Sequence, residues 1–224
     1  AGSRPGRLER AARRIIEQEA PELLVCCSSE IWPRMREYER ALDYNSRQVE
    51  LLDGLLAQAP SEQLAFERAS ATARGGELEK LRGRLDEART LLLDAIARFD
   101  ALPQPVDASR RASARARIEL AHVLALRRES DGRAELLREA AEALEPLAAA
   151  AGAPWELRLD LAKAYAELGS TPHELVGDVS AVRDPSEDAR WLQRALDTLA
   201  PLAKELPDQP RVRQREGEVR VELA

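Results

Sequence analysis

Apolar residues recur along this chain at steps of three and four. Between Ser186 and Glu205 they are Leu192, Ala195, Leu196, Leu199, Leu202 and Ala203, the spacing of one face of a helix. β-branched and aromatic residues are sparse, and no run alternates apolar with polar as a half-buried strand does. The pattern predicts nine helices, over 7–24, 34–58, 61–82, 86–101, 108–128, 132–151, 155–168, 186–205 and 209–223. Breaker clusters separate them at Ala59-Pro60-Ser61, Leu102-Pro103-Gln104-Pro105, Ser130-Asp131-Gly132, Gly152-Ala153-Pro154 and Leu206-Pro207-Asp208. Asp131 and Ser186 are the expected N-caps, since their side chains can accept from an orphan amide. Connections this short make successive helices antiparallel neighbours.

The chain also repeats itself. Glu139-Ala140-Ala141-Glu142-Ala143-Leu144-Glu145-Pro146-Leu147-Ala148 aligns with Arg194-Ala195-Leu196-Asp197-Thr198-Leu199-Ala200-Pro201-Leu202-Ala203, mid-helix proline included. Asp94 to Pro103 is a weaker third copy. A proline inside a helix removes a backbone hydrogen bond and bends it, so its recurrence points to copies of one structural unit.

The clearest second helix of such a unit is Gly83-Arg84-Leu85-Asp86-Glu87-Ala88, followed by Leu92 and Ala95. Its gaps of five, four and three resemble the Gly, Ala, aromatic and Ala positions of the tetratricopeptide repeat, a helix pair of 34 residues. Gly76 falls at the small position of the preceding first helix, while Thr72 and Glu79 depart from the family's Trp and Tyr. Farther on, Leu161-Ala162 and Tyr165 fit the first-helix positions, Pro207 the closing proline, and Gly217 the next small position. The resemblance covers residues 48–224, with residues 1–47 expected as an N-terminal helical cap.

A long segment, Gly169 to Pro185, interrupts the last pair and is expected as an insert. The run Leu161 to Gly169, the insert with Gly177-Asp178, Leu199-Ala200-Pro201-Leu202 and Pro207-Asp208-Gln209-Pro210 together resemble the repeat region attached to bacterial Ser/Thr protein kinases. The resemblance implies an all-α solenoid, a right-handed superhelix of three to four antiparallel pairs whose first helices line a concave face. In the family register that face holds Ser70, Glu77 and Lys80, then Arg115 and His122, then Glu156, Lys163 and Glu167. Their charges are mixed, which argues against a simple carboxylate clamp. The alternative reading of each is a solvated helix face. The implied function is a non-catalytic, protein- or peptide-binding sensor or regulatory domain, extracytoplasmic if the kinase likeness holds. The rival expectation is a stand-alone cytoplasmic scaffold, and an enzyme is the third.

Composition narrows the classes. With 44% apolar residues the chain is not a disordered tail. Its formal net charge of −6 argues against a nucleic-acid partner. Lysines number three, Lys80, Lys163 and Lys204, among 34 basic residues, a bias that reads as codon usage. No apolar run approaches the roughly 20 residues of a membrane span. Ala1-Gly2-Ser3 reads as an expression remnant, so the natural start is expected upstream. The arginines Arg4, Arg7, Arg10, Arg13 and Arg14 precede an amphipathic stretch. They suit either a capping helix or an anionic membrane surface. Arg110, Arg111, Arg115 and Arg117 read as an exposed face, since no aromatic residues interleave for base stacking.

Catalytic chemistry finds no platform. His122 and His173 lie far apart, and neither belongs to a His-x-x-x-His pattern. Adjacent Cys26 and Cys27 exclude a disulfide scaffold and a four-cysteine zinc site by count. Gly75-Gly76 has no neighbouring Gly-Lys-Ser/Thr for phosphate, and kinase motifs are missing. No cofactor, metal or catalytic residue is expected. Trp32, Trp155 and Trp191, each near a helix start, are expected packing anchors.

Overall fold

The structure, a computed structural model, describes residues 38–103, 106–170 and 185–223. Every regular element among them is helical: α1 (Tyr38–Gln58), α2 (Glu62–Leu81), α3 (Leu85–Asp100), α4 (Asp107–Leu126), α5 (Arg133–Ala149), α6 (Trp155–Gly169), α7 (Pro185–Glu205) and α8 (Pro210–Leu223). These match eight of the nine expected helices to within a few residues. The ninth, over 7–24, lies outside the described residues. So do the N-terminal arginine run, Cys26, Cys27, Trp32, His173 and most of the expected insert.

Helix ends follow local chemistry. Ser61 caps α2, its hydroxyl accepting from the Leu64 amide at 3.1 Å. The turns after α2 and α4 share one geometry. After α2, Gly83 has φ 78° and the Arg84 amide donates to the Glu79 carbonyl at 2.9 Å. After α4, Arg128 holds the same place at φ 60°, and Glu129 donates to Leu124 at 2.9 Å. This is the left-handed helix stop that glycine adopts at least cost.

Two expected caps need correction. The residue ahead of α5 is Gly132 at φ 75°, with no side-chain cap, rather than Asp131. A left-handed backbone is needed there, and glycine supplies it one position later. Ser186 lies inside α7, which begins at Pro185. A first helical position tolerates proline, because its missing N–H would be unbonded there anyway. The expected insert also shortens at both ends, since Gly169 closes α6 and Pro185 opens α7. Pro146 and Pro201 both sit inside helices, at the two places the sequence segments align.

The chain forms two compact bodies that meet in sequence at residues 104–105. In the first, α1 packs on α2 and α2 on α3, burying Leu52, Ala69, Ala71, Ala88, Leu92, Ala95 and Phe99. A Cβ on Gly76 would stand 2.7 Å from Leu92 Cγ, so the α2–α3 crossing depends on the missing side chain. In the second body each helix from α4 to α8 packs on the next, and alternate helices touch, α4 with α6 and α6 with α8. Leu137, Leu144, Ala162, Leu168, Leu199, Leu202 and Val212 form its core. Gly169 repeats the device of Gly76: a Cβ there would lie 2.6 Å from Leu192 Cγ on α7.

Candidate functional site

The contact between α4 and α6 brings charged side chains of two alternate helices to one place. Asp160, one turn before Ala164 on α6, is buried, its side chain 7% exposed. From α4, Arg111 donates to Asp160 Oδ2 through Nε at 3.2 Å and Nη2 at 3.1 Å. Arg115 Nε lies 4.0 Å from the same oxygen. Lys163 Nζ approaches Asp160 Oδ1 at 3.9 Å, with its side chain 40% exposed. A buried carboxylate thus holds three cationic side chains in fixed relation. A buried charge persists only when it is paired and hydrogen-bonded, and Arg111 meets that need for Asp160.

Of the expected groove residues, the structure joins Arg115 and Lys163 through Asp160. His122 is exposed on α4, and Glu156 is half-buried on α6. Ser70, Glu77 and Lys80 are half-buried on α2 in the first body. Glu167 is tied into the fold: its Oε2 accepts from Arg133 Nη2 at 2.7 Å, and its Oε1 from Arg215 Nη2 at 3.2 Å. That triad links α5, α6 and α8. The basic run on α4 is not uniformly exposed, as its sequence suggested. Arg111 turns to Asp160, and Arg117 donates to Glu139 Oε2 at 2.7 Å and to the Ser113 hydroxyl. Charge partners on neighbouring helices draw these two inward.

A second polar cluster joins α5, α6 and α7. The Tyr165 hydroxyl donates to Glu145 Oε1 at 2.7 Å, and Arg194 Nη2 donates to the same carboxylate oxygen at 2.7 Å and to the Tyr165 oxygen at 2.8 Å. The Arg194 guanidinium carbon lies 4.3 Å from the Tyr165 ring centre and 5.0 Å from that of Trp191. The two rings stack with centres 5.7 Å apart. Cation–π and stacking attractions therefore reinforce the hydrogen bonds. Burial drives the Tyr165 hydroxyl well above the ordinary phenol range, and its bond to Glu145 adds to this. Across the far ends of α6 and α7, Arg158 grips Glu205 with bonds of 3.1 and 2.7 Å, which hold Glu205 below the usual carboxylate range.

No protein-family model matches the chain, and no curated protein matches it.

Among the described residues no group of three or more His, Cys, Asp and Glu side chains is placed to hold a metal ion. None of the described helices is long and apolar enough to cross a membrane. Sequence reading missed Asp160 and Arg111 as a pair. The available signal was weak: Asp160 stands one turn before Lys163 in an apolar helix, where a carboxylate needs a partner. Nothing in the sequence says that the partner is Arg111.

Proposed function

We propose that this chain is a non-catalytic recognition domain, a right-handed solenoid of tetratricopeptide-like pairs that binds a protein or peptide. The observation that supports the reading is the Asp160 cluster. In this reading α4 and α6 are first helices of successive pairs; they touch, and there they gather Arg111, Arg115 and Lys163 about one buried carboxylate. Acidic side chains of a partner segment meet the outward faces of Lys163 and Arg115, and Glu156 on the same helix contributes the opposite sign. The closely nested crossings at Gly76 and Gly169 suit the stacking of small-residue helix pairs. The likeness to the repeat region of bacterial Ser/Thr kinases extends the proposal to a sensor or regulatory role in signalling, with a stand-alone scaffold as the rival.

The test is fluorescence polarisation with labelled peptides of equal length and composition but different charge order. Peptides with a central acidic block are expected to bind the full chain. Lys163→Ala and Arg115→Ala each weaken them about five- to tenfold, the loss of one charge-assisted contact. Equal binding by all charge orders, or no effect of either substitution, refutes the reading.

A further inference from the structure

The first body carries a cleft that uses none of the candidate groove residues. It opens where the end of α1, the start of α2 and the end of α3 meet, and its volume is about 460 Å³. That lies within the range of small-ligand sites, roughly 300–1,000 Å³. Its walls are mostly apolar, with Leu56, Ala65, Leu102 and Pro103 among them.

Arg68 also lines this cleft, although it is only 9% exposed. Burying a guanidinium is costly unless the rest of the fold holds it. Here Nε donates to Asp53 Oδ1 at 2.7 Å on α1, and Nη1 donates to the Thr72 hydroxyl one turn away. Those bonds fix the plane of the group and leave Nη2 to a ligand. Arg98, half-buried on α3, lines the cleft too, with its Nε on Asp94 Oδ2 at 2.8 Å. The start of α2 adds the positive end of a 20-residue helix to the same mouth. One acidic residue, Glu62, belongs to the lining, and it is exposed, so its carboxylate can remain in water.

Apolar walls call for an apolar body, and a buried guanidinium whose charge Asp53 already balances offers Nη2 to an acceptor, a carboxylate most strongly. Inorganic phosphate meets only the second demand, and a neutral hydrocarbon only the first. We propose that this cleft binds a small carboxylic acid with an apolar body, its carboxylate received by Arg68 with Arg98 beside it, and its body laid against Leu56, Ala65 and Leu102.

Octanoate is the probe, titrated calorimetrically into the full chain, with 1-octanol and inorganic phosphate as controls. The expected result is saturable one-to-one binding of octanoate. 1-Octanol and phosphate bind about tenfold more weakly or not at all, the cost of losing a charge-assisted bond or the apolar contact. Ala65→Phe, which fills the cleft, and Arg98→Gln each weaken octanoate about fivefold or more. Arg68→Met has the larger effect, and the other two variants carry the test if it fails to fold. Octanoate that does not saturate, that binds no better than 1-octanol, or whose affinity survives both Ala65→Phe and Arg98→Gln overturns the proposal.

Discussion

Replacing Glu167 by Gln tests whether this residue holds the fold or belongs to the proposed binding face. Glu167 stands between two guanidinium groups, bonded to Arg133 at 2.7 Å and to Arg215 at 3.2 Å. The Arg133 side chain is 5% exposed and that of Glu167 21%. Removing one partner of a fully buried pair costs about 3–5 kcal/mol. The cost here is smaller, because Arg133 also donates to the Glu167 backbone carbonyl at 3.2 Å and water reaches part of the carboxylate. About 2–3 kcal/mol is expected. That corresponds to a fall in Tm of roughly 5–10 °C for a chain of this size. Urea unfolding followed by circular dichroism measures it, with Lys163→Ala as the reference. Lys163 is 40% exposed and Asp160 keeps Arg111, so this substitution is expected to change stability by less than about 1 kcal/mol. A double-mutant cycle with Arg133→Met isolates the pair and is expected to return a coupling of about 1–3 kcal/mol. If Glu167→Gln unfolds at the wild-type urea concentration, the triad does not hold α5, α6 and α8 together. The separation also governs the binding test: a joint replacement of Lys163 and Glu167 would confuse lost recognition with lost structure.

Three further outcomes follow from the same geometry. Arg128→Gly is expected to stabilise the chain by about 1 kcal/mol, since a non-glycine residue at φ 60° carries a left-handed penalty; a lowered urea midpoint would contradict this. Gly169→Ala is expected to destabilise by about 1–3 kcal/mol through overpacking against Leu192. Gly217→Ala, whose new methyl meets nothing, is expected to stabilise by up to about 1 kcal/mol; equal shifts for the two would mean the α6–α7 crossing is not close. Tyr165 holds its proton more tightly folded than unfolded, because burial and the bond to Glu145 favour the neutral phenol. Its contribution is therefore whole below the unfolded value near 10 and is lost as pH rises toward the higher folded value. Unfolding free energy is expected to fall more steeply above pH 10 in the wild type than in Tyr165→Phe, and matching slopes would count against the cluster.

The helices could be read from the chain because their causes are local. The steps of three and four and the Pro and Gly breakers all act within a few residues. Small residues were equally visible: Gly76 and Ala162 are both buried, and Gly76 lies against Leu92 at the α2–α3 crossing. The cap errors came from backbone conformation. Asp131 has the right chemistry for a cap, yet the turn needed a left-handed residue next to the helix, and Gly132 supplies it.

Charge pairing was not visible, because it depends on which helices meet. Glu167 and Lys163 share one face of α6 and carry the same prior from sequence. Arg133 and Arg215 claim the first, while the second, its side chain 40% exposed, lies beside Asp160. Arg111 and Arg115 sit one turn apart on α4, and only the approach of α6 sets them both around a carboxylate. Periodicity and punctuation therefore specified the parts and their order. Packing alone selected which polar side chains lock the fold and which stay at the surface, since Coulomb attraction and desolvation act through space and are blind to distance along the chain.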